Sequence, residues 1–196
     1  MTPQKEPFWL LWTFTNAPVL GILVLCVLTL LIVIVSFQYS LNSELVSIEE
    51  KLKYNPPQGN GLHGNGEEFS GKETHWVYVP AYSHIYHAEG TPILLAVTLS
   101  IRNIDPHSSL RVRSVRYYDT QGKFIKEYVA APVLLPGLST VEYLVEQKNI
   151  EGGSGANFIV EWSAPAEINP PILETVMIGS QGISFVCSGR EIRNAT

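Results

Sequence analysis

The sequence predicts a mainly β protein, an antiparallel immunoglobulin-like β-sandwich preceded by one N-terminal transmembrane α-helix. Three observations carry this expectation. No charged side chain occurs between Pro7 and Ser43. Beyond His75 the apolar residues alternate with polar ones at period two, in short segments. Gly, Pro and Asp turns separate those segments, and no amphipathic helix of useful length interrupts them.

Composition bounds the rest. The 196 residues are 45% apolar, 10% aromatic and 16% charged, enough for one ordinary core and unlike a collagen-like or disordered chain. Thirteen Lys and Arg against 18 Asp and Glu give a net charge of −5, the wrong sign for neutralising nucleic-acid phosphates. Of the two cysteines, Cys26 lies in the apolar run and Cys187 in the polar domain. Neither an intrachain disulfide nor a zinc site is expected from them.

Residues 1–16 read as a short tail and 17–38 as the transmembrane helix. Ala17 to Phe37 is almost continuously aliphatic, and at about 1.5 Å per residue it spans roughly 31 Å, the thickness of the hydrocarbon layer. Asn16 is placed as the helix cap and Pro18 in the first turn, where a missing N–H costs nothing. Phe8, Trp9, Trp12 and Phe14 flank one end, Phe37 and Tyr39 the other, as interfacial rings do. The apolar core is longer than a signal peptide's, no small-x-small site follows it, and Leu25 precedes Cys26 where a lipoprotein site needs a small residue. An uncleaved anchor is therefore expected. Lys5 nearly balances Lys51 and Lys53 across the membrane, so orientation rests on the usual arrangement of a short cytoplasmic tail with one exported domain. That places the C-terminal domain on the periplasmic side of the plasma (inner) membrane.

In residues 39–54, Leu41, Leu45, Ile48 and Leu52 recur at near-helical spacing among charged neighbours, so the helix is expected to continue for a few turns. Its apolar stripe reads as a frayed extension or a short coiled contact with a partner helix. Residues 55–74, with Pro56, Pro57 and five glycines, read as a flexible linker.

The β domain is assigned to 75–190, with 191–196 as a C-terminal tail. Its strands are placed at 75–79, 93–104, 110–118, 123–129, 139–146, 157–163, 172–178 and 182–188. Leu95, Val97, Leu99 and Ile101 give the clearest alternation. Between Leu110 and Tyr118 the parity slips, which predicts a bulge near Ser114. Asp119-Thr120-Gln121-Gly122 supplies hairpin turn chemistry, Asp105 reads as another turn residue, and Trp162 is the expected core anchor.

The most unusual segment runs from Val77 to His87 and joins three tyrosines and two histidines beside Pro80, at an edge-like position. In an extended chain Tyr82, His84 and Tyr86 share one face while His87 points to the other. Packing with hydrogen bonding accounts for these rings. They also suit a ligand or partner surface, with large contact areas and polar tips, for which Gly153 and Asn157 of the Gly152–Asn157 loop are candidate neighbours. A copper or zinc reading would use His84 and His87 with Glu89 or His107, against the period-two geometry. The Gly152–Asn157 loop lacks the Lys-Ser/Thr of a phosphate-binding loop and leads into a strand, so it reads as a mobile inter-strand loop and not a nucleotide site. Arg111, Arg113 and Arg116 read as a solvated sheet face. No nucleophile-base or paired-carboxylate motif is present. The chain is thus expected to be a non-catalytic binding module with no cofactor, its partners being the membrane and a protein, not nucleic acid or nucleotide.

The ordered blocks VYVPAYSHIYH, LAVTLSIRNID, YYDTQGK, GGSGANFIVEW and VMIGSQGISF, over roughly residues 75–190, resemble a bacterial family catalogued as a domain of unknown function, numbered thirty-one twenty-four. The resemblance implies an envelope setting and supports the exported orientation. It brings no activity, ligand or site residue with it. Where some relatives would enter through a cleaved or lipidated leader, this chain carries the long anchor around Cys26.

Overall fold

The structure, a computed structural model, describes residues 8–57, 73–165, 167–180 and 182–193. The chain divides into a helical unit and a β unit.

The first unit is one helix, α1, Phe8–Leu52. Its 45 residues rise about 68 Å, over twice the hydrocarbon thickness. With a mean hydropathy of 2.7 in its apolar stretch, it is long and apolar enough to span a membrane or to act as a signal anchor. The turns over 39–52 are continuous with it. Its start differs from expectation: Asn16 lies inside the helix and is not its cap, and Pro18 falls beyond the first turn. The preceding residues, free of charge and of glycine, let the helix begin earlier, and an apolar helix tolerates an internal proline. Within α1, the hydroxyls of Thr29, Ser36 and Ser43 donate to the carbonyls of Cys26, Ile32 and Ser40 at 2.9, 2.7 and 2.8 Å, so these polar groups are satisfied inside the helix. Residues 58–72 of the expected linker lie outside the described residues.

The second unit holds β1 (Glu73–Pro80), β2 (His84–His87), β3 (Thr91–Arg102), β4 (Leu110–Tyr118), β5 (Phe124–Glu127), β6 (Val133–Leu135), β7 (Thr140–Val145), β8 (Asn157–Ala164), β9 (Ile172–Gly179), β10 (Ser184–Ser188) and β11 (Arg190–Glu191). They form two sheets in which every pair is antiparallel. One runs β11-β1-β8-β4-β5, with β6 also on β4. The other runs β10-β9-β3-β2, with β7 also on β3. All eight expected strands are present. The additional β2, β6 and β11 are four residues or fewer, too short for alternation to register.

Alternation makes the core. Leu95, Val97, Leu99 and Ile101 are fully buried and belong to one cluster with Val79, Val112, Val115, Tyr117, Phe158, Val160, Trp162 and Met177, drawn from both sheets. Trp162 is a core residue, as expected. The β4–β8 register shifts between Val112 and Ser114, leaving Arg113 as the bulged residue. Glu127 closes the bulge: its carboxylate accepts from Ser114 Oγ at 2.7 Å, Val115 N at 2.8 Å and Val129 N at 3.1 Å. Asp119 shapes the β4–β5 turn by accepting from the amides of Gln121 and Lys123 at 2.9 and 2.8 Å.

Asp105 does more than form a turn. Oδ1 accepts from the amides of His107 and Ser108, and Oδ2 from the amide and side chain of Asn169, all between 2.7 and 3.1 Å. Asn103, buried beside it, donates to the carbonyls of Ser108, Leu135 and Pro136. One polar knot thus ties together three loops distant in sequence.

The chain changes sheets twice at the β1 side. Ala81–Ser83 carries it from β1 to β2, and Gly189 carries it from β10 to β11. A β-carbon on Gly189 would lie 2.7 Å from Val77 Cγ1 and 3.1 Å from Val79 Cγ2, so only glycine lets the chain cross this close to the core.

Candidate functional site

Pro80 ends β1, and the next three residues are not in a strand. The amides of Ala81 and Ser83 donate to the carbonyls of Ala156 and Gly153 at 2.8 and 3.0 Å, and Ser83 Oγ reaches the same Gly153 carbonyl at 3.1 Å. These bonds seat the Ala81–Ser83 turn against the Gly152–Asn157 loop. Asn157 is buried at the start of β8, opposite Pro80 and Tyr118.

Pinned this way, the segment splits the expected face. Tyr82 packs on the core and on Phe185, with ring centroids 6.0 Å apart. His84 and Tyr86 form a separate pair: Nε2 lies 3.1 Å from the phenol oxygen, and the rings meet edge-on at 5.1 Å. Period two does not run through Ala81–Ser83, because the amides of Ala81 and Ser83 turn to the Gly152–Asn157 loop, and the stretch meets β3 only where the Ser83 carbonyl accepts from Leu95 N at 2.9 Å. His87 is exposed at the end of β2, on the opposite strand phase from His84. Glu89 follows in a single 3-10 turn, and His107 lies in the Asp105 loop, where its amide serves that carboxylate. The two imidazoles do not converge, and among the described residues no group of three or more His, Cys, Asp or Glu could hold a metal ion.

The Gly152–Asn157 loop departs from the mobile connection expected of it. Thr120 holds it from one side, with N and Oγ1 donating to the Gly152 carbonyl at 2.9 and 3.1 Å and Oγ1 accepting from Gly155 N at 3.0 Å. Ser83 and Ala81 hold it from the other. Gly152 itself is buried against the Tyr117 hydroxyl, where a β-carbon has no room. The glycines answer to packing. The arginines also differ from a solvated face: all three are half-buried, Arg116 lies 4.9 Å over the Trp76 ring, and Arg113 Nε donates to Ser163 Oγ at 3.0 Å.

A cleft elsewhere in the domain went unnoticed in the sequence. Its volume is about 330 Å³, and it is lined by His75 and Val77 of β1, Trp162 of β8, Leu173 of β9, Glu191 of β11, and the 165–171 loop. His75 opposes Trp162 across the β1–β8 ladder. The two rings stack, with centroids 4.2 Å apart and planes 15° apart. His75 Nδ1 lies 2.7 Å from Glu191 Oε1. His75 opens a strand that the alternation does predict, but nothing local pairs it with Trp162 or Glu191.

Residues 74–192, more than half of the chain, match the model of the family described as "Protein of unknown function (DUF3124)". The chain belongs to this family. The matched stretch takes in all eleven strands of the two sheets except the first residue of β1, and both sites just described. No curated protein matches the chain. The crystal structure of Thermotoga maritima 1070 aligns with 59% of this chain and 91% of its own, at 12% identity and a TM-score of 0.36, a likeness too slight to carry fold or function.

Within the DUF3124 domain the titration shifts are those of structural groups. Burial, helped by the Glu151 charge, pushes the Tyr117 phenol up to about 12, and burial raises the Cys187 thiol. Both shifts disfavour the anionic, nucleophilic form. Backbone amides of His107, Asn169 and Ser108 lower Asp105 to about 2, which suits a fixed anion and not a proton carrier.

Proposed function

We propose that this chain is a single-pass membrane protein of the bacterial envelope that displays an immunoglobulin-like β-sandwich as a non-catalytic binding module on the periplasmic side of the plasma membrane. The observation that carries the reading is the His84–Tyr86 pair. Tyr86 is 63% exposed on an edge strand, and its hydroxyl is held by His84, so a large amphipathic ring is oriented toward solvent although the core does not use it. Oriented aromatic rings of this kind are characteristic of protein-recognition surfaces. His87 follows on the same strand, and Gly153 is bonded to Ser83 next to His84, whereas Tyr82, packed on the core, and the buried Asn157 stand apart from the exposed pair. The non-catalytic part of the reading rests on the lack of a nucleophile-base motif and on the upward shifts of Tyr117 and Cys187.

Site-specific photocrosslinking in cells tests the surface. A photoreactive phenylalanine in place of the exposed His87 should give one dominant protein adduct, weakened when His84→Ala removes the hydrogen bond to Tyr86. A smear no different from that at exposed Thr140 would reject it. Sidedness is read separately: with Cys26 and Cys187 changed to serine, a cysteine at position 57 should react with an impermeant maleimide added to spheroplasts. Labelling only after lysis would reject the periplasmic assignment.

A further inference from the structure

We infer that β10 is a self-association edge, pairing antiparallel with the same strand of a second copy about Val186, so that one sheet runs through a dimer. This goes beyond the His84–Tyr86 surface, which lies on β2 at the opposite end of the same sheet, and does not depend on it.

Hydrogen-bond parity defines what this edge offers. Gly179 N donates to the Ile183 carbonyl and Gly189 N to the Leu173 carbonyl, both at 2.8 Å. The two bonds continue the β9–β10 register at its ends, and between them Phe185 opposes Met177 and Cys187 opposes Thr175. Hydrogen-bonded and non-hydrogen-bonded pairs alternate along an antiparallel ladder. Phe185 and Cys187 therefore bond to β9, while Ser184, Val186 and Ser188 turn their N–H and C=O groups outward. No other strand among the described residues pairs with that side of β10. A row of free donors and acceptors of this kind is a template for a further strand.

The strand is its own best complement. Ser184-Phe185-Val186-Cys187-Ser188 reads nearly the same in either direction. On a two-fold axis at Val186, Ser184 meets Ser188 of the second copy and Val186 meets its equivalent. Every outward group then finds a partner, about six hydrogen bonds in all, and no like charges oppose each other. The pairing also covers Val186, which is 54% exposed. The other edges carry the features that discourage such pairing. β11 has Arg190 and Glu191, β5 has Lys126 and Glu127, β7 has Glu142, and β6 is bracketed by Pro132 and Pro136. β2 is only four residues long and runs into a 3-10 turn. β10 has neither charge nor proline, and its register is unbroken. Two five-residue strands make a contact smaller than the roughly 1,200 Å² of stable complexes, so the dimer is weak and covalent trapping is the suitable readout.

The test uses the full chain in detergent micelles, with Cys26 and Cys187 changed to serine and a short bis-maleimide as crosslinker. In the inferred register, Ser184 of one copy and Ser188 of the other lie about 5.5 Å apart between Cα atoms. Two Ser184 residues are four positions apart along the seam, roughly 14 Å. Ser184→Cys mixed with Ser188→Cys should therefore give about tenfold more dimer than Ser184→Cys alone, and Val186→Cys alone should crosslink at least as well as the mixture. Adding Val186→Lys to both members of the mixture sets two ammonium groups at the axis and should cut the yield about tenfold. Val186 is exposed, so this variant is expected to fold, as circular dichroism will check. The register comparison leaves Val186 in place and decides the matter even if it does not. Equal yields from the mixed and the like pairs, a mixed yield no higher than that of exposed Thr140→Cys on β7, or an unchanged yield in folded Val186→Lys would overturn the inference.

Discussion

The Thr175 hydroxyl donates to the Pro80 carbonyl at 2.6 Å, a hydrogen bond from β9 to β1 that joins the two sheets inside the core. Thr175 is fully buried, so no water competes for the bond. Thr175→Val keeps the shape of the side chain and deletes the donor. It should cost about 1–3 kcal/mol, seen as a lower urea midpoint at unchanged slope, while Thr175→Ser should cost only about 1 kcal/mol through the lost methyl group. A valine variant as stable as the parent would show that this bond does not contribute.

Tyr117 and Gly152 form a second fitted pair. Ala at position 152 would set its β-carbon against the Tyr117 hydroxyl and 2.8 Å from Ala156 Cβ, an overpacking worth about 1–3 kcal/mol. Tyr117→Phe alone should be neutral or slightly stabilising, since the phenol is buried with no partner among the described residues. Combined, the two changes should recover part of the Gly152→Ala loss. Strict additivity in chemical denaturation would break this account.

Asp105 should make stability depend on acid. Its carboxyl titrates at about 2 in the folded domain against an ordinary value of 3.8. A depressed folded pKa means that the unfolded chain binds the proton first, so the contribution is complete above the ordinary value and drains away as pH falls from about 4 toward 2. Asp105→Asn should flatten the stability profile within that window and leave the slope above pH 5 unchanged. A variant profile parallel to the parent's between pH 4 and 2 would refute the assignment.

Glu127 offers a local readout. Three hydrogen bonds converge on its carboxylate at the β4 bulge, one of them from the Val115 amide. Glu127→Ala should accelerate hydrogen exchange at Val115 and Val129 while amides of β3 keep their protection, with a global cost of about 1–2 kcal/mol. Unchanged exchange at Val115 would mean that the bulge is held by the strands alone.

What was legible in the sequence is what local chemistry dictates. The alternation of Leu95 to Ile101, the parity slip at Ser114, the Asp119 turn and the charge-free helix each depend on neighbours a few residues apart, and each is present in the structure. Asn16 misled because it is a good cap residue beside a run that is itself helical. Tyr82 misled because strand parity was carried through Ala81–Ser83, whose amides bond to a loop; Ser83 and Gly153 are 70 residues apart. The cleft was illegible for the same reason in stronger form: His75 and Glu191 are 116 residues apart, and only the β1–β11 and β1–β8 pairings bring Glu191, His75 and Trp162 together.

The crossing at Gly189 has a consequence for biogenesis. The first strand of the domain, Glu73–Pro80, receives its outer neighbour, Arg190–Glu191, from the far end of the same domain, with His75 and Glu191 separated by 116 residues. Closure of that seam therefore waits until the whole domain has been made, and is governed by a contact of very long loop length. Until it happens, Val77 and Val79 lack the backbone of Gly189 as their lid, and a nascent chain that stalls before Gly189 would present a sticky, unzipped margin.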